Sequence, residues 1–301
     1  MSSLALKTEI LERKKWFWAY VFIAPACLLI LSFNLIPLFA SFGVSTLNMQ
    51  ISFAEASFIG LGNFRDALAD WRFLNGLKVT LRWTFTEVPV QMVVGLTLSA
   101  ILAKNSLSNR IFRAIYFIPI VCSATAIGVM FQIILHSSIG IYPYWLRLLG
   151  FGRVSLLTEP STALTTVVFV AVWRNFGIST IILIAAMQNV PKDYYDAAET
   201  LGASKIRQFF QITLPTIMPS FWFLLMTRVI GSLQVFDLIY TLTGGGPNFT
   251  TETLVSYVYA QAFRPSAGTR MGYATAMSQF LFVIIMTITL IQYTIMRRTE
   301  D

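Results

Sequence analysis

Six long apolar stretches constrain the fold of this 301-residue chain more than any other feature. Each provides about the 20 mostly apolar residues that an α-helix needs to cross a bilayer core. Their approximate bounds are 18–42, 78–103, 111–135, 161–187, 216–240 and 271–296. Hydrophobic residues make up 56% of the chain and charged residues only 12%, more apolar side chain than a water-soluble domain of this length could bury. We therefore predict an all-α, polytopic membrane protein with six transmembrane helices.

The distribution of lysine and arginine predicts how these helices are oriented. Positive residues near helix ends are held on the cytoplasmic side, and more of them fall there when the N-terminus is placed inside. The first stretch is too long for a signal-peptide core and contains Pro25 and Pro37, so we predict that it is retained. The predicted organisation is a cytoplasmic N-terminal segment (1–17), a transmembrane domain (18–296) with a cytoplasmic loop (188–215), and a cytoplasmic tail (297–301).

Several function classes are disfavoured by composition. The formal net charge of +8 comes from short basic clusters between apolar stretches, a pattern typical of membrane topology and not of nucleic-acid binding. Cys27 and Cys122 lie in apolar segments, so we expect small buried thiols and no disulfide. His136 has no neighbouring Cys, Asp or Glu at metal-ligand spacing. The glycine run 244–246 is followed by Pro247 and lacks the Lys and Ser or Thr of a phosphate-binding loop, so we predict no cofactor in this chain.

The loop 188–215 carries the most informative pattern. Pro191 suits the first turn of a helix and Gly202 suits its C-terminal stop, which predicts a short helix between them. A second short helix is predicted to begin at the capping residue Ser204 and to stop at Pro215. On these residues alone two functions stay open. The loop either docks on another protein or rests on lipid headgroups as an interfacial helix.

The spacing within this loop resembles a known family signature. The matching residues are Asp196, Ala197, Ala198, Gly202, Ile212, Leu214 and Pro215. Permeases of binding-protein-dependent ABC importers carry this pattern, usually with Glu where this chain has Asp196. In that family the loop forms a coupling helix that sits in a groove of a separate ATPase. The resemblance implies that the ATPase-coupling residues here are Tyr195, Asp196, Ala197, Ala198, Leu201 and Gly202.

Matches elsewhere resemble the carbohydrate-uptake branch of this family, the maltose and glycerol-phosphate type. They include the runs 24–25, 36–37, 60–64, 116–119, 236–240 and 242–247, together with Arg113, Trp173 and Gly177. The resemblance implies the type I ABC importer permease fold in a bacterial inner membrane. It also implies a sugar-like substrate, a second, unlike permease forming a heterodimer, an extracytoplasmic solute-binding protein, and two ATPase subunits that bind ATP and Mg.

Ionisable residues deep within the spans are functional candidates because they are costly in a membrane. These are Glu87, Arg174, Arg228 and, near the outer end of span five, Asp237. They either pair to fix helix packing or a gate, or they form a polar path for a hydroxyl-rich solute. The path would also use Gln91, Asn175, Gln234, Gln279 and Tyr240. Two arginines would further suit an acidic or phosphorylated sugar.

Helical spacing predicts how some of these candidates group. Arg174 and Asn175 are adjacent in sequence and are not expected to share a helix face, whereas Gln234 and Asp237, at i and i+3, are. The main alternative function is a stand-alone secondary transporter or channel, which would need no ATPase. An intramembrane enzyme is disfavoured because no paired His, zinc motif or Ser–His arrangement occurs. We therefore predict a non-catalytic permease that works by alternating access.

Overall fold

The computed structural model describes residues 2–51, 56–152, 155–264 and 268–300, and the side chains of those from 15 to 297. The helices are α1 Ser2–Ile30, α2 Ile36–Val44, α3 Gly62–Ala69, α4 Trp71–Leu102, α5 Leu107–Val121, α6 Ala124–Ile134, α7 Ile141–Leu148, α8 Ala163–Gln188, α9 Lys192–Thr200, α10 Lys205–Gln208, α11 Leu214–Thr216, α12 Met218–Leu233, α13 Asp237–Leu242, α14 Leu254–Phe263 and α15 Met271–Glu300. Two π-helical turns, Leu31–Leu35 and Phe209–Thr213, and a two-residue antiparallel pair, Leu47–Asn48 with Ser57–Phe58, complete the described elements.

Four helical segments are long and apolar enough to cross a membrane, namely Lys15–Val44, Trp71–Leu102, Ala163–Gln188 and Met271–Arg297. Two further spans are bent pairs of helices, so the total reaches six when each pair counts as one. The prediction of an all-α, polytopic membrane protein is confirmed. Helices α3, α7 and α14 lie in the connections after the first, third and fifth spans, whereas α9 lies in the connection after the fourth. The first three are therefore on the side of the bundle opposite α9.

The third span is broken, whereas the sequence predicted one straight helix over 111–135. Its two halves, α5 and α6, meet at an angle of 95°. Pro119 cannot donate a backbone hydrogen bond and its ring crowds the preceding turn, which weakens the helix just before its end. Cys122 and Ser123 then adopt extended backbone conformations, which redirect the chain.

The fifth span also differs from the predicted helix over 216–240. The loop helix does not stop at Pro215, because the helical stretch continues through the π-helical turn Phe209–Thr213 and α11 to Thr216. The break comes at Ile217, where the chain bends by 67° into α12. A second break after Leu233 separates α12 from α13.

The centre of the bundle is the close pairing of α4 with α8. A Cβ on Gly95 would lie 2.9 Å from the Cβ of Ser179, so the two helices approach closely. The Gln91 amide donates to the Ser179 hydroxyl at 2.8 Å and to the Asn175 carbonyl at 3.2 Å. Large apolar side chains from these helices, such as Trp83, fill the space around the pair. This pairing fixes the walls of the functional site.

The first span packs little within its own chain. None of the most apolar part of Lys15–Val44 is buried. Its α2 end is attached to the last span, since the Gln279 amide donates to the Ser41 hydroxyl at 2.7 Å. The expectation that Cys27 and Cys122 are buried is wrong. Both thiols are free and exposed, because span one has no neighbour around Cys27 and the chain turns at Cys122.

A carboxylate at the end of the bundle opposite α9 ties three helices together. Asp70 caps α4 by accepting a hydrogen bond from the Arg72 backbone at 2.8 Å. The same side chain accepts hydrogen bonds from the Tyr257 and Tyr273 hydroxyls at 2.5 and 2.7 Å. Burial acts to raise the pKa of Asp70, but these hydrogen bonds outweigh it and the pKa lies below its usual value.

We expect Asp70→Asn to destabilise the protein by about 1–2 kcal/mol, the lower part of the range for hydrogen bonds to a partly exposed charge. Asn keeps the helix cap, so the loss reports the tyrosine contacts. The pKa of Asp70 is lower in the folded protein than in the unfolded chain, where it is about 3.9. The carboxylate therefore stabilises the fold fully above that unfolded pKa, and this stabilisation is lost as the pH falls through the folded pKa. The melting-temperature difference in detergent should therefore be constant from about pH 5 to about pH 8 and shrink below about pH 4. A difference that grows on acidification would contradict this assignment.

Candidate functional site

A polar cavity of about 250 Å³ lies where the fourth and fifth spans meet α4. Its lining residues are Trp83, Glu87, Ala124, Ala171, Arg174, Asn175, Arg228, Gly231, Ser232, Gln234, Val235, Phe236, Asp237 and Leu238. Both broken spans contribute to it. Ala124 is the first residue of α6, and 234–236 is the break between α12 and α13. The helix breaks therefore open the space that straight helices would fill.

Four ionisable side chains line this cavity. Glu87 and Asp237 provide two negative charges, and Arg174 and Arg228 provide two positive charges. Within the described residues, no arginine nitrogen lies within 4 Å of either carboxylate. Glu87 and Arg228 are nevertheless close enough to interact electrostatically. The cavity is formally neutral, and its charges are not locked in tight ion pairs.

Several donors in the cavity have no acceptor. The Nε1 of Trp83 and the Nε atoms of Arg174 and Arg228 are buried and make no hydrogen bond among the described residues. Arg174 uses its other nitrogens, donating to the Asn175 amide oxygen at 2.9 Å and to the Cys122 carbonyl at 3.5 Å. Buried polar atoms are normally paired, so these three atoms are exceptions around the cavity walls.

The structure corrects two predicted groupings. Arg174 and Asn175 do line the same cavity, because the long arginine side chain folds back onto its neighbour. Gln234 and Asp237 share the cavity but not a helix, since α12 ends at Leu233 and α13 begins at Asp237. The spacing rule did not allow for the reach of the arginine side chain in the first case, and in the second it assumed one regular helix where the chain breaks.

Other predicted path residues lie outside the cavity lining. Gln91 is fully buried between α4 and α8, and Gln279 donates to Ser41 on span one. Sequence reasoning missed Trp83, Ser232 and Phe236, which do line the cavity. In the sequence, nothing distinguishes Trp83 from the other apolar residues of span two. Its place in the cavity lining depends on the tertiary packing of α4.

Tyr240 belongs instead to a row of aromatic rings that starts at the cavity. Phe236 lines the cavity and stacks on Tyr240, with ring centroids 5.2 Å apart. Tyr259 of α14 contacts both rings, at 4.8 and 5.4 Å, and Phe263 follows at 5.3 Å. The Arg264 guanidinium lies 5.6 Å from the centroid of the Tyr240 ring. The aromatic row thus leads from the cavity towards the side opposite α9, where Phe263 is exposed.

The coupling-loop candidates lie on α9 and the turn after it. Asp196, Ala197, Leu201 and Gly202 are exposed, and Leu201 is 88% exposed. Gly202 has a φ of +73° and ends the helix in the left-handed conformation that favours glycine. Ser204 caps the following helix, as predicted. A conspicuous apolar side chain therefore projects from a compact, well-terminated pair of short helices.

The inner side of this loop is attached to the bundle. The Tyr195 hydroxyl lies 2.8 Å from the Thr213 hydroxyl, just before α12. The Tyr195 ring packs against a buried cluster that includes Val88 of α4 and Leu183 of α8. Ala198 is half-buried on the same helix. A force on α9 would therefore reach α4, α8 and α12, which carry three of the four charged cavity residues, Glu87, Arg174 and Arg228.

Comparison with known proteins identifies relatives along almost the whole chain. The profile of the family described as "Binding-protein-dependent transport system inner membrane component" matches residues 92–301. The probable ABC transporter permease protein YurN of Bacillus subtilis is 31% identical over 277 residues, covering 91% of this chain and 94% of that protein. The trehalose/maltose transport system permease protein MalF of Thermococcus litoralis is 31% identical over 283 residues, 94% of each chain.

A solved structure shares the fold. One chain in the crystal structure of a bacterial alginate ABC transporter, in complex with its alginate pentasaccharide-bound periplasmic protein, matches with a TM-score of 0.84 at 22% identity. The match covers 95% of this chain and 96% of that chain. The predicted type I ABC importer permease fold is confirmed. On the evidence of the family profile and of these full-length relatives, the chain belongs to the inner membrane components of binding-protein-dependent transport systems, the permease subunits of ABC transporters.

Proposed function

We propose that this chain is one of two unlike permease subunits of a sugar importer that is driven by separate ATPase subunits. The observation that carries the proposal is the exposed α9 loop, with Leu201 projecting from it, joined through Tyr195 to the helices of the charged cavity. The chain itself performs no catalysis. ATP and Mg are bound by the ATPase partners, and a solute-binding protein delivers the sugar at the side opposite α9.

The proposed mechanism is alternating access. ATP-driven closure of the ATPases moves α9, and the contact between Tyr195 and Thr213 passes the movement to α12. Val88 of α4 packs in the cluster beneath α9, and the neighbouring residue Glu87 lines the cavity. A movement of α9 therefore also moves α4 and its cavity residue. The breaks at 122–123 and 234–236 allow the far halves of the spans to open the cavity to the opposite side. In this arrangement both termini are cytoplasmic.

The partner permease is expected along span one. The apolar part of Lys15–Val44 buries nothing within its own chain, which leaves it free to pack against a second subunit and lipid. The glycine-rich turn 244–247, which resembles the first of two unlike permeases, supports a heterodimer over a homodimer. The alternative, a stand-alone secondary transporter or channel, gives no role to an exposed coupling loop.

We propose a neutral, hydroxyl-rich sugar as the solute. Two positive and two negative side chains balance within the cavity, and its polar lining residues, such as Asn175, Ser232 and Gln234, can donate to and accept from sugar hydroxyls. The aromatic row beside it offers faces on which a sugar ring can lie. The trehalose/maltose permease among the relatives supports the same class.

Purification of the tagged chain from native membranes in mild detergent tests the assembly. Mass spectrometry should find a second six-span permease and an ATPase. Leu201→Asp should lower the amount of recovered ATPase to about half or less. Burying an exposed leucine in a docking groove contributes about 1.5–3 kcal/mol of binding free energy, which the variant loses. The partner permease keeps its own contact with an ATPase, so some ATPase is still recovered. The matched control is Leu61→Asp, which changes an exposed leucine on the opposite side. A chain recovered alone would favour the gradient-driven transporter, and equal ATPase recovery in both variants would contradict docking at α9.

The charge of the solute is tested by paired substitutions in the cavity. Arg228→Gln leaves the buried Glu87 carboxylate without its neighbouring positive charge, and an uncompensated charge is costly in such a site, so we expect uptake to fall at least about tenfold. For a neutral sugar, the double variant Glu87→Gln with Arg228→Gln should recover much of the uptake in reconstituted vesicles, because the charge balance returns. Failure of the double variant to recover, with the complex intact, would indicate that Arg228 binds an anionic solute.

A further inference from the structure

Helix α7 carries its apolar face away from the protein. Ile141, Tyr144, Trp145 and Leu148 lie at i, i+3, i+4 and i+7, and each is between 52 and 61% exposed. The buried residue of this helix is Pro143, on the other face. An amphipathic helix on a globular protein normally turns its apolar stripe to the core. The stripe of α7 therefore faces something outside this chain.

The position of α7 relative to the bilayer is fixed by its neighbours. Only residues 135–140 separate it from α6, the second half of a span, and the Gly140 amide donates to the His136 carbonyl at 2.8 Å within that turn. A Cβ on Gly140 would lie 2.4 Å from the Ile134 carbonyl oxygen, so the turn folds tightly against the end of α6. The next span, α8, begins at Ala163. Held close to the end of one span and leading into another, α7 lies at the level of the membrane surface.

The exposed stripe is continuous with a surface that lies in the membrane. On α6, Met130 and Ile133 are exposed apolar residues of a spanning segment. Ile139, in the turn, is also exposed and leads directly to Ile141, the first residue of the stripe. Exposed apolar side chains thus occur on the span, in the turn after it and on α7, which favours lipid as the occupant.

The side chains of α7 match the chemistry of a membrane interface. Tyrosine and tryptophan concentrate at the level of the headgroups, where their rings are buried and their polar atoms stay hydrated. Arg147 is exposed and has no carboxylate within 4 Å among the described residues. It borders a cleft of about 360 Å³ together with Tyr144 and Trp145. An arginine beside such a cleft can bind a phosphate through paired hydrogen bonds.

We propose that α7 is a lipid-binding interfacial helix of the leaflet opposite α9. Its stripe of Ile141, Tyr144, Trp145 and Leu148 lies among the upper acyl chains, and Arg147 holds the phosphate of a phospholipid headgroup. The helix anchors the connection between spans three and four to the membrane surface. This surface is independent of the proposed coupling loop and of the transported solute.

Fluorescence quenching distinguishes lipid from the other possible occupants. A bimane label is placed at Trp145→Cys, in a chain whose Cys27 and Cys122 are serine, and the assembled complex is reconstituted into vesicles of phosphatidylcholine and phosphatidylglycerol. We expect a doxyl lipid labelled near the headgroup to quench several-fold more than aqueous iodide. The matched control is Glu159→Cys, an exposed polar site in the same connection, where iodide should dominate.

Two outcomes would overturn the proposal. Protection of position 145 from both quenchers would mean that the partner permease or the binding protein covers the stripe, and dominance of iodide would mean that it faces water. A second measurement avoids dependence on the cysteine variants. Native mass spectrometry should find less co-purifying phospholipid with Arg147→Gln than with Arg147→Lys, and equal retention would overturn the phosphate contact.

Discussion

Substituting Gly177 with leucine should prevent the chain from folding into a stable membrane protein. A Cβ at this position would lie 2.0 Å from the carbonyl oxygen of Tyr116 and 2.8 Å from its carbonyl carbon. Both atoms belong to the backbone of α5, so no rotation of a flexible side chain relieves the clash. Even alanine should cost about 3 kcal/mol, the upper part of the usual range for overpacking, because α5 and α8 must move apart.

The measurement is the amount of monodisperse protein and its melting temperature after extraction in mild detergent. The matched control is Gly43→Ala in α2, where a Cβ meets nothing within 4 Å, and we expect no loss of stability there. Gly177 also lies beside the bend of span three, so its effect reports the packing that holds this bend in place. Wild-type stability of Gly177→Ala would show that α5 and α8 do not approach as closely as described.

Replacing Gly202 with valine should separate ATP hydrolysis from uptake. The residue has a φ of +73°, a conformation that costs a β-branched residue roughly 1–2 kcal/mol, although a Cβ there would meet nothing within 4 Å. The clash-free surroundings allow membrane insertion, whereas the turn that presents Leu201 to the proposed ATPase partner is distorted. We expect uptake to fall at least about tenfold, the result of about 1.4 kcal/mol of lost coupling, while ATP hydrolysis persists.

Gly202→Asn is the matched control, because asparagine adopts the left-handed conformation more readily than other non-glycine residues. It should retain much of the uptake that valine loses. Both activities are measured in the same proteoliposomes, together with the yield of inserted permease. Normal uptake by the valine variant would contradict the assignment of this turn to ATPase coupling.

Apolar length alone predicted the spans well, because a bilayer demands some 20 apolar residues whatever the helix packs against. It could not predict where spans bend. The break after Val121 has only Pro119 as a local signal, and the break after Leu233 has no proline or glycine at 234–236. Pro119 weakens the helix before the first break, whereas the second break has no such local signal, so apolar length reveals neither of them.

The cavity was predicted in part. The cost of buried charge singled out Glu87, Arg174, Arg228 and Asp237 as residues to consider, and all four line one cavity. Their convergence depends on the close approach of α4 and α8, which one sequence does not reveal. The same limit explains why Gln91 proved to be a contact between these helices. The functional roles of the cavity and loop residues remain predictions.

The unpaired first span has a consequence for which substitutions the protein can tolerate. Side chains between residues 18 and 35 have almost no neighbours in their own chain, so the membrane and the proposed partner subunit are left to constrain them. Lipid accepts any apolar side chain of similar length, whereas a packed protein surface distinguishes one shape from another. A scan of conservative apolar substitutions along this helix would therefore trace the outline of the partner on it, as a stripe of sensitive positions beside a tolerant one.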